Sequence, residues 1–239
     1  MLQSKAILTW MISCVLLIGS ATADVYMKQK VTTTGSDEEP QIHETWMTAT
    51  KVRSNTGDQS SIFDVEKNIL ITLDHKKKKY MEIPLDFSGA SSGEQQNTDN
   101  LPSFMKNMLK MEVTVQPTGE QKKISDWNCT KYLRTLKVAM TTSESEIWAS
   151  EDIKINTEVY KKFSAAFMAS QPGFSKMLKD MMKESEKING VPVLQTTTSK
   201  VMKKTITSTT ELLEVKDLEA PADLFEIPAG YKQEKFKED

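Results

Sequence analysis

The sequence predicts an α+β fold in which an antiparallel β-sheet of about ten strands is covered by inserted amphipathic helices. Segments rich in β-branched and aromatic residues recur along the chain, and turn signals separate them. Two stretches have helical spacing of apolar residues instead. An antiparallel sheet with one apolar face needs a cover, and helices inserted between strands can fold back over that face. The sheet is expected to be strongly curved.

The chain opens with a segment typical of a cleaved signal peptide. Lys5 is followed by an apolar run over residues 6–18, which is too short to span a membrane comfortably. Ala21 and Ala23 then provide the small residues of a signal-peptidase site. We therefore expect cleavage after Ala23 and a periplasmic or secreted mature protein.

Two other fates of the N-terminus are possible. A retained membrane anchor is one, but no stop-transfer pattern or basic cluster follows the apolar run. Lipid attachment at Cys14 is the other, but the apolar run continues past that cysteine, where a lipobox would end it. The sequence thus predicts a signal peptide over 1–23 and a single domain over 24–239, with a mature chain that does not span the membrane.

Charge and cysteine content narrow the function classes. The net charge is −2, with acids and bases interspersed, so no nucleic-acid partner is expected. Cys129 is the only cysteine after the predicted cleavage site, which leaves no internal disulfide. Burial of Cys129 is the simpler interpretation, and a reactive thiol is the alternative. The basic run 76–79 fits a solvated hairpin tip better than contact with anionic lipid headgroups.

The strand pattern is regular over residues 25–85, where a meander of hairpins is expected. Ile69, Ile71 and Leu73 alternate on one face of a strand, and Met81, Ile83 and Leu85 do the same on the next, so each strand should have one buried face. Strand patterns resume later, at residues 111–116, 131–138, 142–149, 191–202 and 205–215.

Two helical insertions interrupt the strands. A polar stretch at 86–100 is expected to be a mobile surface loop, and a short helix follows it near 101–109. The second helical region covers about 156–188, with a break at 171–173.

The chain has fourteen methionines, and several lie on these helices, where flexible side chains could admit an acyl chain or simply fill a core. The residues predicted to line an apolar cavity are Phe104, Met108, Phe163, Phe167, Phe174, Met177, Leu178, Met181 and Met182.

The C-terminal segment 221–232 resembles the closing segment of an uncharacterised bacterial family, domain of unknown function 4412. Three further stretches resemble that family in the same order, at 62–82, 124–132 and 146–148. The family is similar in turn to lipoprotein-carrier (LolA/LolB-like) folds. This resemblance implies a curved antiparallel half-barrel capped by helices over an apolar cavity. Asp126 departs from the pattern, because glycine is expected there, and the departure puts the turn before Cys129 in doubt.

The sequence carries no pattern for catalysis or for a cofactor. It has no G-x-S-x-G elbow, no Gly-rich phosphate loop and no recognisable nucleophile–base pairing, so an enzyme is not expected. His43 and His75 have no spacing that would recruit a metal. Tyr80, Tyr132 and Trp148 are interpreted as amphipathic core residues rather than ligand contacts.

The leading hypothesis is a periplasmic protein that binds an apolar ligand between sheet and helices, either a lipid or the acyl chain of a lipoprotein. The alternative is an envelope protein-interaction or sensing module with a packed interior, which contacts a partner protein through the loop at 86–100.

Overall fold

The computed structural model describes most of the chain beyond the predicted signal peptide: residues 24–35, 39–85, 87, 111–138, 141–170, 178–201 and 204–235. Several sequence predictions lie outside these ranges. They are the signal peptide at 1–23, the loop at 86–100 except for residue 87, the short helix near 101–109 and the break at 171–173.

The described strands form one open, curved sheet of twelve members. Its order is β12-β6-β5-β4-β3-β2-β1-β11-β10-β9-β8-β7. The strands are β1 (Val25–Thr34), β2 (Gln41–Met47), β3 (Lys51–Thr56), β4 (Gln59–Asp64), β5 (Ile69–Asp74), β6 (Lys79–Pro84), β7 (Met111–Ile124), β8 (Trp127–Val138), β9 (Thr141–Ser150), β10 (Val191–Val201), β11 (Lys204–Asp217) and β12 (Lys232–Glu234).

The count exceeds the predicted ten or so. Strand β12 pairs parallel to β6, whereas the other pairings in the described sheet are antiparallel. Its three residues are all exposed and have no apolar alternation, so the sequence pattern could not mark them as a strand.

Two meanders meet in the middle of the sheet. The first runs outward from β1 to β6, and the second runs inward from β7 to β11, which pairs with β1.

The turn between β7 and β8 explains why Asp126 is tolerated there. Ser125 is the residue with left-handed backbone, at φ 51°, and Asp126 has no positive φ. Position 126 therefore does not need a glycine.

Two helices are described, α1 (Thr157–Ala169) and α2 (Leu178–Ser185). Asn156 caps α1, since its side-chain oxygen accepts the Val159 N–H at 3.2 Å. Glu158 in the first turn pairs with Lys162 one turn on, at 2.8 Å. Contacts with the sheet run from α1 to β3 and β4 and from α2 to β7. That inserted helices cover the whole apolar face stays a prediction.

The main core lies between α1 and one face of the sheet. Phe163 of α1 places its ring 6.5 Å from the ring of Phe63 on β4, which is fully buried. The same cluster joins buried residues from nine further strands: Val25, Met27, Met47, Val52, Leu70, Ile83, Cys129, Trp148, Val191, Val193 and Leu212, among others. Burying one Leu- or Phe-sized side chain contributes about 1.5–3 kcal/mol, so this cluster is a major source of stability.

The opposite face of β3–β5 is also covered, by residues 221–231, which we call the closing segment. Ile62 and Leu73 point to that face and are 1% and 0% exposed. This corrects the expectation of one buried face for β5. Leu70 and Leu73, which lie on opposite faces, are both buried, whereas Ile69 and Ile71 are partly exposed. The cause is the second layer that the C-terminus adds.

Candidate functional site

An open cleft of about 680 Å³ lies at one end of the sheet, where β1 and β10 begin and β2, β9 and β11 end. Its apolar lining comes from Val25, Met47, Ile153 and Ile155, three of which also belong to the main core. Polar and charged residues complete the lining: Thr48, Glu151, Lys154, Asn156, Thr157, Lys161, Asn189 and Asp217. The cleft therefore combines an apolar floor with a polar rim.

Gly190 is required for the geometry of this cleft. It has φ 86°, and a Cβ at that position would lie 2.2 Å from the carbonyl oxygen of Ser150. The chain can thus enter β10 directly beneath Ser150 only with glycine at 190. This close approach fixes the segment that follows β9 against the start of β10.

The other walls are held by local hydrogen bonds. Thr48 turns the chain between β2 and β3, because its N–H donates to the Lys51 carbonyl at 2.8 Å and its hydroxyl accepts the Lys51 N–H at 3.0 Å. The cap at Asn156 sets the start of α1 on the opposite wall. Both walls are therefore fixed by turns that the sequence encodes locally.

The rim carries positive charge near α1. Lys154 donates to the Glu151 carbonyl at 2.9 Å, and Lys161 donates to the Glu186 carbonyl at 3.4 Å. Neither ammonium forms an ion pair with a carboxylate within the described ranges. An apolar floor beneath a rim that carries both ammonium and carboxylate groups suits an amphipathic ligand whose polar part stays at the rim.

A second, smaller pocket of about 60 Å³ lies between α1, α2, β7 and β8. Its walls are mostly apolar, and they also include Arg134, Lys161, Ser164, Glu184 and Ser185. The space equals that of about two water molecules, at roughly 30 Å³ each. It cannot hold an acyl chain in this conformation.

The structure spreads the predicted cavity residues over different environments. Phe163 is buried in the main core, while Phe167 is 44% exposed with its ring 6.4 Å from that of Phe163. Met181 is buried at the smaller pocket, and Met182 packs near Ala165. Outside the described residues lie Phe104, Met108, Phe174 and Met177, as well as the side chain of Leu178. A common cavity for the full set stays a prediction.

A polar network joins the closing segment to β3–β5. The Arg53 guanidinium donates to the Leu224 carbonyl at 2.5 Å and to the Asn55 side-chain oxygen at 2.8 Å. Ser60 donates to the same Asn55 oxygen at 2.7 Å and lies 2.6 Å from Nε2 of His75. On its other side, Nδ1 of His75 lies 2.6 Å from the Tyr231 hydroxyl.

This network contains a serine–histidine pair that the sequence did not reveal, because Ser60 lies on β4 and His75 lies in the turn after β5. Ser60 is only 3% exposed, and its proton is directed to Asn55. With the Ser60 proton shared with Asn55, Nε2 of His75 donates to Ser60 and Nδ1 accepts from Tyr231. The geometry supports anchoring of the closing segment.

Residues singled out near the family-like segments lie mainly in the core. Cys129 is 2% exposed, and burial raises the pKa of its thiol, which disfavours the reactive thiolate. Tyr132 is buried and its hydroxyl accepts the Asn189 N–H at 3.2 Å. Lys122 lies 3.9 Å above the centre of the Trp148 ring. Tyr80 is partly buried.

The basic run 76–79 lies at the β5–β6 turn, as a hairpin tip. Lys76 pairs with Asp58 at 2.6 Å, and Lys77 pairs with Asp74 at 2.9 Å. In the described part of the chain, no group of three or more His, Cys, Asp or Glu side chains could hold a metal ion. Of the helices described, none is long and apolar enough to cross a membrane.

Comparisons with known proteins bear on this architecture. The family model described as Domain of unknown function (DUF4412) matches residues 21–231. No curated protein matches the sequence. Among solved structures, the chain is similar to the crystal structure of a LolA superfamily protein from Nitrosomonas europaea, at 10% identity and a TM-score of 0.32. That match covers 85% of this chain and 89% of the other.

Proposed function

The chain belongs to the DUF4412 family, and for this member we propose an exported, periplasmic protein that binds an apolar ligand between its sheet and its helices. The ligand is a lipid or the acyl chain of a lipoprotein. The cleft of about 680 Å³ at the end of the sheet carries this proposal. The protein acts by binding, without catalysis or a cofactor.

The size and lining of the cleft support this choice. Its volume falls within the roughly 300–1,000 Å³ of small-molecule sites, and its floor joins the main core. Each methylene of a ligand buried there contributes about 0.8 kcal/mol, so ten buried methylenes contribute about 8 kcal/mol before the cost of association. The ammonium groups of Lys154 and Lys161 can then contact the polar end of the ligand.

The test is a matched pair of charge insertions. Ile155 lines the cleft and is partly buried, whereas Leu213 on β11 is 45% exposed and does not line it. Ile155→Asp places a carboxylate where the acyl chain would lie, and desolvating that carboxylate should weaken binding at least tenfold, which corresponds to about 1.4 kcal/mol. Leu213→Asp should bind as the wild type does.

Binding is measured by titration of a fluorescent fatty acid into the mature protein, with thermal melting to verify that both variants fold. If the folded Ile155→Asp protein and the wild type bind the fatty acid with equal affinity, the cleft is not the binding site. Failure of the wild type to bind any lipid would remove the proposed function.

The alternative function is a protein-interaction or sensing module of the envelope. It is favoured by how completely the described core fills the space under α1, where Phe63 and Val52 are 0% exposed. Deleting residues 88–100 discriminates between the two functions. Loss of a captured partner with unchanged lipid binding supports the module, and unchanged partner capture contradicts it.

A further inference from the structure

Arg134 lies on the inner face of the sheet, in a row of hydroxyl side chains. The register places Arg134 opposite Ser145 on β9, and Ser145 opposite Thr197 on β10. Ser145 and Thr197 share a hydrogen bond at 2.9 Å, and Ser145 is 3% exposed. The guanidinium donates to the Ser145 hydroxyl over a long 3.4 Å, so this contact satisfies little of its five-donor capacity.

The charge of Arg134 has no carboxylate partner within 4 Å in the described ranges. Glu184 lines the same pocket, but it is already engaged. One of its oxygens accepts the Val115 N–H at 2.7 Å, and both accept from Lys187 at 2.7 Å. Burial lowers the pKa of Arg134, with Tyr160 acting weakly in the opposite direction. Arg134 is partly buried, and a cation drawn away from water is normally paired.

The pocket beside this cation has the dimensions of a small charged group. Its volume of about 60 Å³ excludes a chain, and Val113, Leu136 and Met181 form apolar walls beside the guanidinium. Lys161 adds an ammonium group at the lining, whereas the Ser164 hydroxyl donates to the Tyr160 carbonyl at 2.9 Å. A guanidinium in such a setting binds a planar or tetrahedral oxyanion through two parallel hydrogen bonds.

We propose that the pocket at Arg134 is an oxyanion site, which takes one carboxylate or phosphate group. The site shares Lys161 with the cleft at the end of the sheet, but its other lining residues differ from those of the cleft, and it stands whether or not that cleft binds a lipid. The anion is either a free small ion or the charged head of a lipid, and both present the same oxygens to the guanidinium.

The test compares the full mature wild-type protein with Arg134→Met and Arg134→Lys. Arg134→Met removes the charge while keeping an extended apolar side chain, and Arg134→Lys keeps the charge without the bidentate geometry. Lys123→Met is the matched control, because Lys123 is an exposed cation on β7 away from the pocket. Thermal melting and calorimetric titration are done with phosphate, acetate and oleate, and with phosphatidylglycerol vesicles, against sodium chloride of equal ionic strength.

We expect an anion at ten times its dissociation constant to raise the Tm of the wild type and of Lys123→Met by about 3–6 °C. Arg134→Lys should bind phosphate or acetate at least tenfold more weakly, and Arg134→Met should bind neither while melting at or above the wild-type temperature. Oleate that the cleft takes up is measured with Arg134→Met and subtracted. A response to phosphate or acetate identifies a free ion, and a response to oleate or vesicles alone identifies a lipid head.

Two results would overturn the proposal: unchanged anion binding by Arg134→Met, or no response of the wild type to any of the four anions. The Ile155→Asp protein separates this site from the cleft. It should keep its anion response even where its uptake of fatty acid is lost, so that each site can fail on its own.

Discussion

The hydroxyl of Tyr231 provides a direct measure of how firmly the closing segment is held. Tyr231→Phe removes only the oxygen that lies 2.6 Å from Nδ1 of His75, and it leaves the ring in place. The rest of the network, from His75 through Ser60 to Arg53, keeps its partners. The variant therefore isolates one hydrogen bond between the closing segment and the turn that follows β5.

The expected change in the free energy of unfolding follows from the loss of that hydrogen bond. A neutral hydrogen bond contributes about 0.5–1.5 kcal/mol, and a partly buried acceptor left without a donor adds a similar cost. We expect Tyr231→Phe to lower the free energy of unfolding by about 1–2 kcal/mol. In a domain of this size that corresponds to a decrease in Tm of about 2–8 °C.

The assay is urea unfolding followed by circular dichroism, in a double-mutant cycle with His75→Ala. If the bond forms as described, the two changes should be coupled by about 1 kcal/mol. Tyr80→Phe is the control, because the Tyr80 hydroxyl has no hydrogen bond among the described residues, and it should stay within about 0.5 kcal/mol of the wild type. Additive effects of Tyr231→Phe and His75→Ala would refute the anchoring role of this network.

Two further predictions concern the backbone and the response to alkali. Gly190→Ala should lower the free energy of unfolding by at least about 3 kcal/mol or prevent folding, because its Cβ meets the Ser150 carbonyl. Gly57 has φ 54° and open space around it, so Gly57→Ala should lower that free energy by only about 1 kcal/mol in the same urea assay. Burial, followed by the hydrogen bond to Glu44, raises the pKa of Tyr26 from 10.0 to about 12. The folded state thus holds this proton more tightly, so stability from Tyr26 is complete below pH 10 and is lost as the pH rises towards 12. Between pH 10 and about pH 12 the wild-type protein should lose more stability than Tyr26→Phe does. Equal losses would contradict a raised pKa of Tyr26 in the folded state.

Much of the sheet could be predicted because its signals are local. The alternation in β5 and β6 and the charged turn at 76–79 placed a hairpin where the structure has one. Helical spacing likewise placed α1, whose Phe163 was predicted to line a cavity and lies in the main core. Spacing alone could not assign Phe167, which lies on the same helix but is 44% exposed, because it does not show where a helix face leaves the sheet.

The candidate sites could not be predicted because they join residues that are distant in sequence. The cleft combines residues from both meanders, from Val25 and Met47 to Ile153 and Asp217. The anchor of the closing segment joins His75 to a tyrosine 156 residues away. No periodicity connects such positions. The family resemblance included both the segment around Tyr231 and the stretch 62–82 that contains His75, but it did not show that the two are in contact.

Lipid binding by the mature protein is the central claim, and native mass spectrometry tests it most directly. The protein is purified gently from the periplasm, its mass is measured, and any bound molecule is identified after solvent extraction. We expect a complex of the protein with one lipid or acyl-chain ligand. The Ile155→Asp protein should lack this ligand, and the Leu213→Asp protein should retain it. A protein that remains at its bare mass, and takes up neither added lipid nor fluorescent fatty acid, would contradict it.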